Sequence, residues 1–275
     1  AGVYLYLDPQ VPKAESYRHV KLETPLRVYT ADEKLIAEFG ERRLIPITLD
    51  EVPEYFIRAL LDTEDKRFYQ HQGIDFISLT TDTLGLIGNL LTGEGLGAGA
   101  STITMQLARN ISFSLERKFL RKFKEMLLAL KIEQDLSKDE ILELYLNIIE
   151  YGPSVYGLRH AAAYYFGREP HELSPAESAY LACMLPSPKR YHVSYERGTL
   201  TRSMKSRSRR LLEHMAKRER IGPEALAYGL AELEDFQFWR DGDSPPAPRV
   251  LPPLGAPEVL DLEAEDPVEA LFLGP

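Results

Sequence analysis

Residues 63–73 read Thr-Glu-Asp-Lys-Arg-Phe-Tyr-Gln-His-Gln-Gly, and they end a helical, apolar run that begins near Leu49. The adjacent carboxylates of Glu64 and Asp65 therefore stand at the end of a predicted buried helix. A partly dehydrated carboxylate has a raised pKa, which suits it to general acid or base chemistry. Most Glu-Asp pairs after a helix are solvated surface groups, so a catalytic role for Glu64 needs support from elsewhere in the chain.

The middle of the chain predicts a mainly α domain. Phe113 to Asp135 has apolar residues at helical spacing, which predicts one long helix with a buried stripe. The stripe comprises Phe119, Leu120, Phe123, Met126, Leu127 and Leu130. A Ser-x-x-Glu capping box begins the next helix at Ser137, and Ser174 followed by Pro175 begins another. Residues 202–220 predict a further, basic helix.

Two short alternating segments precede this domain. Leu26–Tyr29 and Leu35–Phe39 are typical of the strands of a small hairpin. The apolar, tyrosine-rich residues 1–7 are either the end of a removed membrane helix or a buried first strand. We therefore predict a separate N-terminal segment over 1–43, which is membrane-proximal under the first of these interpretations, and a single mainly α domain over 44–238.

Residues 239–275 differ in composition from the rest. Eight prolines among the last 31 residues indicate a linker or tail. The net charge of −9 comes from residues 232–275, which hold eleven acidic residues and two arginines. Because residues 109–131 are locally basic, the acidic total does not exclude an anionic substrate.

Several classes of site are missing from the sequence. The glycines at 93–97 lack the Gly-Lys-Ser/Thr ending of a phosphate-binding loop, and the six histidines show no zinc-binding spacing. No Ser-x-x-Lys pair occurs, which excludes a serine acyl-transfer site of the penicillin-binding type from this chain. Cys183 lies in an apolar run, which predicts a buried, unreactive thiol.

Two carboxylates remain as candidates for chemistry. They are Glu64 and Glu125, and the second stands one helical turn from Arg121 and Lys122. A small hydroxyl-rich loop at residues 99–106 lies between them in the sequence.

In these residues the chain resembles the peptidoglycan glycosyltransferases of family 51, which occur alone or as the first catalytic half of class A penicillin-binding proteins. All five motifs of that family appear in order between Val28 and Phe238. The first four are carried by Glu64, Asp65, Phe68, His71 and Gly73; by Gly99, Ser101, Thr102, Ile103, Thr104 and Gln106; by Arg121, Lys122 and Glu125; and by Lys138, Ile141, Leu142, Tyr145, Leu146, Asn147 and Gly152. The fifth is looser, at Arg207, Leu211 and Leu212, and Met105 replaces a glutamine of the second motif.

The resemblance implies a mainly α, lysozyme-like, two-lobed glycosyltransferase fold with a small N-terminal β-hairpin. Residues 76–91 alone predict either a buried core helix or an interfacial segment, being too short and too polar to cross a bilayer. The resemblance favours the second, with a smaller apolar lobe near Phe76–Leu96 against the membrane.

The implied reaction is polymerisation of lipid II. A sugar hydroxyl of the acceptor attacks the anomeric carbon of the donor, and undecaprenyl pyrophosphate leaves with inversion. The hydroxyl needs a base, for which we predict Glu64, and the pyrophosphate needs positive charge. The predicted cations are Arg109, Arg117, Arg121, Lys122 and Lys124. Glu125, the second predicted catalytic residue, either orients these cations or helps to bind a divalent ion, Mg²⁺ or Mn²⁺.

The remaining motif residues receive supporting roles from the resemblance. The cleft is predicted to be lined by Ser101, Thr102, Gln106 and Asn147. Structural roles are predicted for Asp65, Phe68, His71, Gly73, Tyr145 and Arg207. No nucleotide or organic cofactor and no nucleic-acid partner is expected.

The implied partners are lipid II, the growing glycan chain, the inner-membrane surface and other proteins of cell-wall synthesis. The implied location is the extracytoplasmic, periplasmic face of the bacterial plasma membrane. Whether a transpeptidase domain follows in the full-length protein is left open by the sequence.

Two other functions fit a pair of carboxylates on a helical fold. One is a lysozyme-like or lytic enzyme that cleaves glycan, and the other is a non-catalytic glycan-binding module. The basic helix distinguishes a glycosyltransferase from a glycan-cleaving enzyme. Cleavage of a neutral glycosidic bond gives no reason to gather Arg121 and Lys122 beside Glu125, whereas departure of a pyrophosphate does.

Overall fold

The fold of the chain was obtained as a computed structural model that describes residues 26–29, 35–39, 46–78, 101–111 and 118–255. Its helices are α1 (Glu54–Glu64), α2 (Ile103–Ile111), α3 (Lys118–Asp135), α4 (Lys138–Ile148), α5 (Leu158–Phe166), α6 (Pro175–Met184), α7 (Pro188–Tyr191), α8 (Val193–Glu196), α9 (Arg202–Lys217) and α10 (Pro223–Glu234). Single 3-10 turns lie at Leu49–Glu51 and Pro170–Glu172.

The strands form two short antiparallel pairs in the described residues. They are β1 (Leu26–Tyr29) with β2 (Leu35–Phe39), and β3 (Glu150–Gly152) with β4 (Val155–Tyr156). The first pair is the predicted N-terminal hairpin, with Leu26 opposite Phe39. The mainly α class and the hairpin are thus confirmed, while the second pair had no signal in the sequence.

Local capping signals set the helix starts as predicted. The Ser137 hydroxyl accepts a hydrogen bond from the Glu140 amide at 3.3 Å, and α4 begins at the next residue. Helix α6 begins in the same way after Ser174. Helix α9 ends at Lys217, before the predicted Arg220, because Glu219 adopts a positive φ of 56° and turns the chain.

Helix α3 buries a different face from the one predicted. Phe123 and Leu130, from the predicted stripe, are 45% and 37% exposed, whereas Leu128 and Ala129 are at most 1% exposed. The buried face also carries Glu125, because α3 packs on α2 through that side. A pattern that counts glutamate as a surface residue therefore selects the wrong stripe.

The core is centred on α6. Every residue of this helix is buried, and it packs against α1, α9 and α10. A helix that is apolar on all sides is stable only inside a domain. Burial raises the pKa of the Cys183 thiol to about 11, which supports the predicted inert role. Because α6 packs against α1, it also holds in place the helix that ends at Glu64.

The first part of the proline-rich tail packs back onto this domain. The Arg249 guanidinium pairs with Glu177 on α6 and, at 2.8 Å, with Glu232 on α10. The Tyr55 hydroxyl on α1 donates a hydrogen bond to the Pro252 carbonyl. Residues up to 255 are therefore held by the helical domain, and the domain boundary after 238 stays a prediction.

Other predictions concern segments outside the described residues. These include residues 1–25, the tail beyond 255 and most of the predicted membrane-facing lobe. Phe76 and Ile77, which begin that lobe, are 62% and 50% exposed. Among the helices in the described ranges, none has both the length and the apolar character needed to span a bilayer.

Gly73 ties the segment after α1 to α3. Its φ is +82°, and a Cβ there would lie 3.0 Å from the Ala129 carbonyl oxygen. Residues that carry a side chain rarely adopt this φ. The nearby Ala129 oxygen belongs to the backbone, so it cannot move away as a flexible side chain could.

We expect Gly73→Ala to reduce the free energy of unfolding by about 2–4 kcal/mol, the sum of left-handed strain and overpacking. Gly242→Ala is the matched control, because Gly242 has φ +98° but a Cβ at this position would meet nothing within 4 Å. The control should lose only the backbone strain, about 1–2 kcal/mol. Urea unfolding of the two variants checks this, and equal losses would contradict the close packing of Gly73 on α3.

Candidate active site

Glu64 lies at the C-terminal end of α1 and meets a side chain from α2. The Gln106 Nε2 group donates a hydrogen bond to Glu64 Oε2 at 2.7 Å. Burial raises the pKa of Glu64; the Gln106 bond opposes this rise, and the negative charge of Asp65 adds to it. In the part of the chain that the structure describes, Oε1 of Glu64 has no hydrogen-bond partner. Glu64 thus has a free oxygen and a raised proton affinity, as a general base requires.

Asp65 fixes the start of α2 next to Glu64. Its Oδ2 accepts a hydrogen bond from the Ile103 amide at 2.9 Å, and both of its oxygens lie 3.0 Å from His71 Nε2. A carboxylate at a helix N-terminus is favoured because it pairs with free amides and the positive end of the helix dipole. This geometry supports the structural roles predicted for Asp65 and His71.

Two hydroxyls of the predicted cleft loop make contacts within the protein. The Thr102 hydroxyl donates to the Gly73 carbonyl at 2.6 Å and accepts from the Met105 amide at 3.1 Å, so it caps α2. The Ser101 hydroxyl receives a hydrogen bond from Lys122 Nζ at 2.7 Å. Ser101 therefore lies among the predicted site residues, whereas the buried Thr102 acts as a helix cap.

Glu125 is a buried anion shared by three cations. Its side chain is 1% exposed, and Arg109 reaches it with Nε at 3.1 Å and a second nitrogen at 3.3 Å. Arg121 Nε lies at 3.4 Å and Lys122 Nζ at 3.5 Å. The side chains of the three cations are 46%, 45% and 42% exposed. The result is a cationic surface held in place by a carboxylate beneath it.

The pKa of Lys122 reflects the repulsion among the cations of this surface. Burial lowers the pKa of Lys122, the nearby Glu125 opposes that change, and the positive charges of Arg109 and Arg121 add to it. An anion bound here would relieve the repulsion among the cations.

Helix α2 joins the two carboxylates in one site. Gln106, which contacts Glu64, and Arg109, which contacts Glu125, are three residues apart. Residues at this spacing lie on the same side of a helix, about 5–6 Å apart at Cβ. The two carboxylates predicted from sequence are therefore brought to neighbouring positions along one helix face.

Asn147 is hydrogen-bonded through its side chain to the segment that precedes α1. Its side-chain amide donates to the Ile47 carbonyl at 2.8 Å and accepts from the Ile47 amide at 2.8 Å. Both ends of the side chain thus hold the segment that enters α1, which leaves little of the amide for the predicted substrate contact.

The remaining predicted structural residues and cations lie in different parts of the chain. Phe68 is buried beneath Lys138, whose Nζ lies 4.5 Å from the ring centroid. Arg207 donates to the Tyr191 hydroxyl at 2.7 Å. Lys124 is half-buried on α3, and Arg117 lies outside the described residues.

The site does not fit a divalent ion on Glu125 in this arrangement. Both carboxylate oxygens face cations, and positive charge at 3.1–3.5 Å opposes a further cation. Across the described ranges, no group of three or more His, Cys, Asp and Glu side chains is placed to hold a metal. The geometry favours Glu125 as the residue that orients Arg109, Arg121 and Lys122.

One functional contact was missed by sequence reasoning. The Tyr145 hydroxyl on α4 lies 3.0 Å from Gln106 Oε1, although Tyr145 was predicted to be structural. Nothing in the spacing of the two residues shows that the hydroxyl meets the amide, because they are 39 positions apart in sequence and lie on different helices.

Several known proteins are similar to this chain in sequence. A family model described as Transglycosylase matches residues 32–216. Penicillin-binding protein 1A of Pseudomonas aeruginosa is 47% identical over 192 residues, which cover 70% of this chain and 23% of the relative. The Escherichia coli protein of the same name is 44% identical over 194 residues, which cover 70% of this chain and 22% of the relative. The chain therefore aligns with less than a quarter of the length of either relative.

A crystal structure of penicillin-binding protein 1A from Haemophilus influenzae is also similar. It is 27% identical in sequence, with a TM-score of 0.43, over 78% of this chain and 21% of that chain.

We expect Glu125→Gln to reduce the free energy of unfolding by about 1–2 kcal/mol, because three partly exposed cations lose their shared counter-ion and repel one another. The matched control is Glu234→Gln, since Glu234 also faces two cations, Lys205 and Arg209, but lies on the surface. The control should unfold close to the parent, because exposed pairs contribute little. Urea unfolding checks both, and a parent-like Glu125→Gln would contradict the role of Glu125 as the anchor of the cations.

Proposed function

This chain belongs to the transglycosylase family, and from that premise we propose that it is a peptidoglycan glycosyltransferase that joins lipid II into glycan strands. The observation that carries the proposal is the spacing of Gln106 and Arg109 on α2, which sets a carboxylate of raised pKa one turn from a cationic surface. A transfer from a lipid pyrophosphate needs both groups near each other.

Glu64 acts as the general base in this proposal. Its unpartnered Oε1 takes the proton of the acceptor hydroxyl as the hydroxyl oxygen bonds to the anomeric carbon of the donor. A carboxylate whose pKa is raised by burial binds that proton more readily than an ordinary glutamate does.

The cationic surface receives the leaving group. The bond from the anomeric carbon to the pyrophosphate oxygen breaks, and its electron pair remains on the pyrophosphate. Arg109, Arg121 and Lys122 are partly exposed and already oriented by Glu125, so they stabilise that charge with little rearrangement. Arg117 and Lys124 remain predicted contacts of the same pyrophosphate. Displacement of the pyrophosphate in a single step inverts the anomeric carbon.

Location and partners follow from the substrate. A lipid-linked donor requires the cleft to lie beside the membrane, on the extracytoplasmic face where glycan strands are made. The exposed Phe76 and Ile77 support this placement, because they begin the segment predicted to lie against lipid.

A glycan-cleaving enzyme is the runner-up, and the state of Glu125 argues against it. Retaining and inverting glycosidases use two carboxyl groups that are both free to act on the sugar or on water. Here both oxygens of Glu125 contact cations.

Incubation with two substrates tests the proposed function. We expect lipid-linked disaccharide-peptide to yield longer glycans and free polyprenyl pyrophosphate, and finished peptidoglycan to remain intact. Shortened fragments from finished peptidoglycan, with no polymer from the lipid-linked substrate, would favour the hydrolase. Parallel reactions with and without Mg²⁺ or Mn²⁺ test the alternative role of Glu125 in binding a divalent ion.

We expect Glu64→Gln to abolish polymerisation while binding of the lipid-linked precursor stays close to the parent. The amide keeps the size of the side chain but accepts no proton at working pH. Glu213→Gln, at an exposed position on α9, is the control and should polymerise normally. Substantial turnover by Glu64→Gln would remove Glu64 from the role of base.

The pH dependence of polymerisation should report the ionisation of Glu64. The base must be deprotonated, so activity should fall as the pH drops through its pKa, which is raised above the ordinary 4.5. We therefore expect the acidic midpoint of kcat/KM to lie above pH 4.5. A rate that stays constant to below that pH would contradict the assignment.

A further inference from the structure

Three side chains from separate helices form one line of hydrogen bonds that ends at Glu64. Tyr145 on α4 contacts Gln106 Oε1 at 3.0 Å, and Gln106 Nε2 contacts Glu64 Oε2 at 2.7 Å. Tyr145 is 0% exposed, so bulk water does not compete for its hydroxyl.

We infer that Tyr145 is a positioning residue, which keeps Glu64 ionised by holding the Gln106 amide with its NH₂ group towards the carboxylate. The inference rests on the proposed function for its catalytic consequence, whereas the effect on the ionisation of Glu64 can be measured without catalysis.

The orientation of the Gln106 amide determines which form of Glu64 it stabilises. With NH₂ towards Glu64, the amide donates to the carboxylate and favours the charged form. With C=O towards Glu64, the amide accepts a hydrogen bond and favours the protonated form. The Tyr145 hydroxyl donates to the amide oxygen and so opposes rotation to the second orientation.

The charge of Glu64 reinforces this arrangement. Each donor in the line points towards the carboxylate, and hydrogen bonds aligned in this way polarise one another. Burial raises the pKa of Tyr145 well above 10.0, and the negative charge of Glu64 raises it further. Tyr145 therefore keeps its proton for donation across the working pH range.

The surroundings of Glu64 explain why such support is needed. In the described residues, the charge of Glu64 interacts with four titratable groups: Asp65 after α1, Tyr145 on α4, Tyr151 on β3 and Cys183 on α6. Burial and Asp65 both raise the pKa of Glu64. Within the described residues, the Gln106 amide is the group that opposes them, and its orientation depends on Tyr145.

The test is Tyr145→Phe, which removes one hydroxyl and keeps the ring. The ionisation of Glu64 is followed by ¹³C NMR of carboxyl-labelled glutamate, with the signal assigned by its loss in Glu64→Gln. We expect the pKa of Glu64 to rise by about 0.5–1 unit, the scale of one weakened hydrogen bond. The acidic midpoint of kcat/KM should move to higher pH by the same amount, while the rate well above it changes less than about threefold.

Two further variants separate positioning from packing. Tyr180→Phe on α6 removes another fully buried hydroxyl, one that has no hydrogen-bond partner in the described part of the chain, and it should leave the pKa of Glu64 unchanged. Gln106→Ala should raise the pKa of Glu64 at least as much as Tyr145→Phe does. In the Gln106→Ala background, Tyr145→Phe should add nothing, because its effect passes through the amide.

Each contrary result has a distinct meaning. An unchanged or lowered pKa of Glu64 in Tyr145→Phe overturns the inference, and so does an equal rise in Tyr180→Phe. A uniform loss of rate at all pH values, with the NMR midpoint unmoved, assigns Tyr145 to packing alone and also overturns it. If the NMR pKa rises but the pH–rate midpoint stays fixed, the positioning role holds and the base assignment of the proposed function fails.

Discussion

The hydrogen bond from the Ile103 amide to the Asp65 carboxylate sets the register of the whole site. Asp65 directly follows Glu64, so this bond fixes the first turn of α2 beside the end of α1. Gln106 then falls one turn later, against Glu64, and Arg109 falls a further turn along, against Glu125. A shift of one residue in α2 would turn both side chains away by about 100° and separate them from the carboxylates.

The two glutamates carry the same functional group in opposite environments. Glu64 is partly buried, with one amide donor and a neighbouring negative charge, and burial together with that charge raises its proton affinity. Glu125 is buried more deeply but is surrounded by Arg109, Arg121 and Lys122. One carboxylate is therefore suited to accept a proton, and the other is suited to hold cations in place.

Sequence patterns predicted the features that depend on neighbouring residues. The caps at Ser137 and Ser174 were predicted because a capping box acts within four residues, and the hairpin was predicted from its alternation. The family motifs selected Glu64, Glu125 and the basic helix as candidates for the site. These choices needed no knowledge of which helices touch.

Features that depend on distant contacts were not predictable in this way. The buried face of α3 contradicts its apolar pattern because Glu125 is neutralised by Arg109 from another helix. The cap formed by Thr102 and the contact of Tyr145 with Gln106 likewise join separate segments. The proline-rich tail packs on the domain because Arg249 meets Glu177, 72 residues away.

In the proposed reaction, the cationic surface at Arg109 binds the pyrophosphate while Glu64 acts only on the acceptor. Titration of the protein with a short-chain polyprenyl pyrophosphate, followed by ³¹P NMR, tests it most directly. We expect Arg109→Ala to weaken binding by about tenfold or more, the scale of one charged hydrogen bond, and Glu64→Gln to bind like the parent. Parent-like binding by Arg109→Ala, or an equal loss in Glu64→Gln, would contradict the account.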